Sequence, residues 1–215
     1  MIGGNHEPYH RLRDFDASYF GPKLTYTNAG ILEHTIPGLS VYGLTGIHHP
    51  EHLQFSPVRT TGRARARSWS DMVDLARGKQ IKLKELTYYK QSELDALLAL
   101  PPEPHLLLLH DWPMPPPHIP ASGARPEVEL VKRLRPQWVC SGHHHINAEM
   151  PMGDSQFIGF NIIGHASDIS RHEICSGWLA VFTFNGKVAQ HHFRWQNESS
   201  AATHRPTAAS RQRAY

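Results

Sequence analysis

The residues of this chain that can do chemistry stand at the ends of three short apolar runs. Met1-Ile2-Gly3-Gly4 leads into Asn5-His6-Glu7, Leu106-Leu107-Leu108-Leu109 into His110-Asp111-Trp112-Pro113, and Trp138-Val139-Cys140-Ser141-Gly142 into His143-His144-His145. Imidazole nitrogens and amide oxygens are ligands for a divalent cation, and a cation with open coordination positions can hydrolyse phosphate esters. Asn5 offers the amide oxygen, and His110, His143 and His145 offer imidazoles. On an extended segment His143 and His145 project to one side and His144 to the other, an alternation that a loop would undo. Gly4 and Gly142, beside these residues, permit tight turns and close approach of a ligand. With 17 histidines in 215 residues, any single one of these features is easily accidental. Their weight lies in recurring, in order, at three run ends.

Such a site needs strands that deliver their last residues to a common place. In open α/β sheets ligands gather beyond the carboxyl ends of the strands. Residues 1–10 read as the end of a strand entering a helix or loop. Residues 24–27, 30–36 and 39–47 read as a β-rich unit that turns at Pro37-Gly38. A helix is expected over 87–100, with Thr87 as its cap and Pro101-Pro102 as its stop. Strand 105–109 follows, then a loop from Pro113 to Pro120 too broken by prolines to be regular. A helix over 126–135 opens on Pro126 and precedes the strand 137–141. Beyond it the pattern is all-β: 156–163, then 177–184 turning at Asn185-Gly186 into 187–195. Residues 196–215 are polar without apolar periodicity and are expected to be a disordered tail.

A length of 215 residues suits one domain with a sizeable core. A hydrophobic content of 40% and a mean hydropathy of −0.46 fit a soluble protein. No apolar run approaches the roughly 20 residues that cross a bilayer, and the first residues lack the basic and apolar regions of a secretory signal. Two cysteines, Cys140 and Cys175, fit a reducing compartment. The expectation is a cytoplasmic protein with no membrane partner. The net charge of +3 does not by itself imply nucleic acid. Residues 59–84, however, hold eight basic residues against two acids. They either contact RNA phosphates or form a solvated insertion, which is the better match because Trp69 is their one aromatic for base stacking. His48, His49 and His52 either line the cleft or are ordinary loop histidines. His165, His172, His191 and His192 read as core or surface residues, Cys140 as a small hydrophobe, and Trp112 as a cover for the site.

Taken together, Gly4-Asn5-His6-Glu7, His110 and Gly142-His143-His144-His145 resemble the third, fourth and fifth motifs of the calcineurin-like metallophosphoesterases. Within that superfamily His110-Asp111-Trp112-Pro113, the Gly43–Ile47 unit and the helix before the leucine strand resemble the RNA lariat debranching branch. The resemblance spans residues 1–195. It implies an α/β fold, a two-sheet β-sandwich flanked by helices (αββα), with a basic insertion at about 55–84. It implies that Asn5, His110 and His143 bind one metal ion, that His145 binds a second, and that His6 faces the phosphate as acid or charge stabiliser. The implied reaction is hydrolysis of a phosphodiester or phosphomonoester, RNA or a nucleotide among the substrates, by in-line attack of a metal-bound hydroxide. Two cations (Mn²⁺, Fe²⁺ or Zn²⁺) about 3.5–4 Å apart would clamp the attacking and leaving oxygens. The family's first two motifs, Asp-x-His and Gly-Asp-x-x-Asp, belong upstream of Asn5, and with them its first strands and the carboxylate that bridges the metals. The chain as given is therefore expected to be N-terminally truncated, to hold at most about one tightly bound metal, and to turn over little. The alternative is an inactive fragment or pseudoenzyme that keeps a partial metal site and acts as a binding module.

Overall fold

The four leucines 106–109 form a strand inside a sheet, with Leu107 and Leu109 fully buried and Leu106 and Leu108 half-buried. The computed structural model describes residues 2, 27–32, 36–54, 66–113, 126–144, 148–160, 181–185 and 188–191. Within them the strands are β1 (Ala29–Ile31), β2 (Val41–Leu44), β3 (Leu106–Leu109), β4 (Trp138–Ser141), β5 (Ala148–Met152), β6 (Ser155–Gly159), β7 (Val181–Phe184) and β8 (Val188–His191). The helices are α1 (Trp69–Arg77), α2 (Gln91–Leu98) and α3 (Pro126–Leu134), with 3₁₀ turns at Pro50–His52 and Leu83–Thr87. The chain is a mixed α/β fold built on a six-stranded sheet of order β1-β2-β3-β4-β6-β5, with β7 and β8 as a separate pair. Strands β2, β3, β4 and β6 are parallel, and β1 and β5 run antiparallel at the two edges.

Register decides what the site receives. Leu44, Leu109, Ser141 and Gly159 lie in one row across the parallel strands, so all four end level with one another. One face of the sheet, carrying Tyr42, Leu44, Leu107, Leu109, Val139 and Phe157, forms a common core with Leu94 and Leu97 of α2 and Leu130, Val131 and Leu134 of α3. Alternation puts Gly43, Leu106, Leu108, Trp138 and Cys140 on the other face. There Phe182 of β7 packs on Trp138, ring centroids 5.6 Å apart, and Phe184 on His105 at 4.8 Å. Ile2 also lies on that face: a Cβ added to Gly43 would come within 2.6 Å of Ile2 Cγ2, so only glycine admits so close an approach.

Several elements differ from the sequence expectation. The helix expected from Thr87 begins at Gln91, because the Thr87 hydroxyl donates to the Lys84 carbonyl at 2.7 Å and closes the 3₁₀ turn instead. Tyr88 is extended and bridges Ile47, and the helix is capped by Lys90, whose N–H donates to Glu93 at 2.8 Å. It ends at Leu98 rather than 100. Of the β-rich unit expected over 23–47, the described residues form β1 and β2, with Gly38 at φ +78° in the turn before β2. Strand β5 was not expected at all. It pairs with β6 through Gly153-Asp154, with Gly153 at φ +61°, a glycine-first hairpin turn. β7 and β8 pair antiparallel, Phe184 opposite Val188, on either side of the expected Asn185-Gly186 turn, whose residues 186 and 187 lie outside the described residues. Within the basic stretch, α1 is capped by Ser68, which accepts from Asp71 N at 3.1 Å. Ala66, Met72, Val73, Ala76 and Leu86 form a second small core there, so this part is packed rather than merely solvated. The expectations for residues 3–26, 33–35, 55–65, the Pro113–Pro120 loop beyond Pro113, 161–180 and 192–215 lie outside the described residues. No helix of the described residues is long and apolar enough to cross a membrane.

Candidate metal centre

Because β3 and β4 are parallel and end level, the residues that follow them leave the sheet side by side. The Gly142 amide donates to the His110 carbonyl at 3.2 Å, continuing the ladder one step past the strands. The rings of His110 and His143 then meet edge to face, centroids 5.1 Å apart. These two of the expected ligands are thus brought together. Asn5, His6 and His145 lie outside the described residues.

After Gly142 the chain does not stay extended. His143 has φ +63°, and the His144 amide donates to the Gly142 carbonyl at 2.8 Å. That closes a three-residue turn about a positive-φ centre, a rare and strained form of γ-turn, with a strain cost on the order of 1–3 kcal/mol. Gly142, expected to supply the conformational freedom, is not the residue that needs it. The turn breaks the alternation that would send His144 away. The His143 and His144 rings lie 4.8 Å apart, and His144 packs edge-on against Trp112 at 5.5 Å.

The third participant is Asp111. The residue is buried just past the end of β3, its side chain 8% exposed. Oδ1 accepts from its neighbour's amide, Trp112 N, at 2.9 Å, and Oδ2 from His48 N at 3.4 Å. Oδ1 also stands 3.7 Å from His144 Nε2. Among the described residues, one group of metal-ligating side chains converges: Asp111, His143 and His144, with one ligand atom from each within 4.8 Å of the others. Two imidazoles and a carboxylate are a suitable donor set for Zn²⁺, Mn²⁺ or Fe²⁺. Trp112 underlies the group. Its indole is 1% exposed and packs on Phe157 at 4.9 Å, so it is a buried support rather than the expected cover.

Sequence reasoning missed Asp111 and His144 as partners of His143. The signal for Asp111 was its place directly after a strand-end histidine. For His144 the sequence carried no signal, because periodicity presumes an extended chain. The His48 backbone N–H reaches Asp111 at 3.4 Å, and its ring stacks on Tyr89 at 6.0 Å. His49 and His52 face Tyr88, at 4.8 and 4.6 Å, and His52 Nδ1 pairs with Glu85 at 2.9 Å. Burial, the largest cause, pulls the His52 pKa below 6.5 against the raising pull of Glu85. Cys140 is buried on β4, and burial pushes its thiol up to about 12, so it behaves as the small hydrophobe expected of it.

No protein-family model matches the sequence, and no curated protein matches it.

Proposed function

We propose that this strand edge binds divalent metal and hydrolyses a phosphate ester, on the two-sheet, helix-flanked plan of the calcineurin-like metallophosphoesterases. The observation that carries the reading is the 5.1 Å contact between His110 and His143 at the level ends of adjacent parallel strands. Two residues distant in sequence meet where the motif resemblance requires common ligands. A second layer is supported by Phe182 and Phe184 over the sheet face opposite the helices, and by Ile2 over Gly43.

In this reading Asn5, His110, His143 and His145 are the metal-binding residues of the complete family-type site. A bound divalent cation (Mn²⁺, Fe²⁺ or Zn²⁺) supplies Lewis acidity to a phosphoryl oxygen and a water nucleophile at neutral pH. His6 donates a proton to the leaving oxygen or stabilises its charge, and Asp111, held by Trp112 N and His48 N, fixes the local field. The substrate is a phosphate ester, with RNA and nucleotide phosphodiesters the class indicated by the debranching-type motif. The low thiol content supports a reducing, cytoplasmic setting.

Hydrolysis of bis-p-nitrophenyl phosphate with added Mn²⁺ tests the reading. Turnover is expected to be low, to vanish with chelator, and to fall by about 100-fold or more in His6→Ala and in His110→Ala. Turnover indifferent to chelator and to both substitutions would overturn it.

A further inference from the structure

We infer that Asp111, His143 and His144 form a cation site of their own, suited to Zn²⁺, with a ligand set different from the one that the motif resemblance assigns. The inference rests on the reading above only in taking this edge to bind a cation; it does not depend on hydrolysis.

Four observations carry it. The first is spacing. Donors arranged tetrahedrally at about 2.1 Å from a zinc ion stand about 3.4 Å apart. His144 Nε2 and Asp111 Oδ1 are 3.7 Å apart, too far for a hydrogen bond and close to a tetrahedral edge. The ligand atoms of all three residues lie within 4.8 Å of one another, so a contraction of about an ångström seats an ion among them.

The second is orientation. Metal-binding side chains are held by an outer layer of hydrogen bonds, and this carboxylate has one. Trp112 N at 2.9 Å and His48 N at 3.4 Å fix its plane, and the two donors come from different strand ends. The third is the backbone. Adjacent residues of an extended chain cannot both face one point, and only the positive-φ turn at His143 brings both imidazoles to the same side. Strain held at a non-glycine residue is the kind of outlier from which a functional role is argued.

The fourth is burial with access. Asp111 is 8% exposed at its side chain and His144 15%, so the group is largely withdrawn from water yet remains reachable. Two imidazoles and one carboxylate leave a coordination position open, the composition of catalytic rather than structural zinc sites.

Calorimetric titration of the full chain with Zn²⁺ alone tests this, comparing wild type with Asp111→Asn, His144→Gln and two histidines outside both ligand sets, His49→Gln and His52→Gln. Zinc affinity is expected to drop at least about tenfold in Asp111→Asn and His144→Gln, and to stay within about twofold of wild type in the other two. Zinc affinity unchanged in Asp111→Asn and His144→Gln would overturn the inference. No zinc binding by the wild type would overturn it as well. Zinc binding of the expected pattern, in a protein that hydrolyses nothing, would uphold this site and remove the hydrolytic reading. A measurement on unaltered protein guards against misfolded variants: zinc should protect His143 and His144 from diethylpyrocarbonate, mapped by mass spectrometry. Equal modification of both with and without zinc would count against the site.

Discussion

The indole Nε1 of Trp112 donates to the carbonyl of Gly142 at 2.6 Å, tying the chain that leaves β3 to the chain that leaves β4. The bond spans the two segments that carry the metal-binding residues, and the ring that makes it also supports His144. Trp112→Phe keeps most of the packing and removes the tie. The Gly142 carbonyl retains the His144 amide as a donor, so the loss should be about 1 kcal/mol, or roughly 2–4 °C in Tm for a chain of this size. Zinc affinity should fall with it, because His144 and Asp111 are no longer held in register. A thermal melt and a zinc titration check this, and unchanged values in both would refute the role given to Trp112.

The strain at His143 is open to a direct comparison of two substitutions. Both His143→Ala and His143→Gly remove the imidazole, but only glycine adopts φ +63° freely. The glycine variant should therefore be more stable than the alanine variant by about 1 kcal/mol. This reverses the usual order, in which alanine is the more stabilising of the two. Chemical denaturation of the metal-free proteins reads the difference, and an alanine variant at least as stable as the glycine one would show that the turn is not strained.

Stability should also depend on pH through His52. Burial lowers its pKa first, Glu85 raises it, His49 and Lys90 lower it and Glu51 raises it, with the net result below 6.5. A histidine whose folded pKa lies below its unfolded value resists protonation in the folded state. Its contribution is therefore complete above pH 6.5 and is lost as pH falls from there through the folded value. Wild type should lose more stability than His52→Gln between pH 7.5 and 5.5, read as urea midpoints. Parallel losses in the two proteins would rule His52 out as the titrating group.

Gly43 predicts how the two faces of the sheet are coupled. A methyl group there would meet Ile2 Cγ2 at 2.6 Å and Leu32 Cδ1 at 3.0 Å. Gly43→Ala should cost about 1–3 kcal/mol, and Ile2→Ala in the same protein should recover part of that loss by making room. A double-mutant cycle measures the coupling, and strictly additive effects would mean that Ile2 does not lie on β2.

The parts of this molecule that were legible in its sequence are those where burial and pattern agree. Leu106–Leu109 and Trp138–Ser141 are strands because their apolar runs are buried inside a parallel sheet, and their level ends bring His110 to His143 as the run-end pattern implied. Where local hydrogen bonding competes with pattern, the reading failed. Thr87 looked like a helix cap, yet its hydroxyl closes the preceding turn. β5 carries Pro151, which argues against a strand in general but is tolerated at a sheet edge, where β5 lies. The placement of His144 stayed open for a related reason: alternation holds only while the backbone stays extended, and a single positive φ at His143 cancels it. Asp111 was not among the candidate ligands, although its burial and its two backbone donors orient it toward the histidines.

The central claim is that the ends of β3 and β4 together hold a cation. Diffraction at the zinc absorption edge from crystals grown with Zn²⁺ tests it most directly. The account predicts an anomalous peak within about 2.3 Å of ligand atoms of Asp111, His143 and His144, beside the His110 ring. An ordered edge with no peak there, or zinc bound only at surface histidines elsewhere, would contradict it.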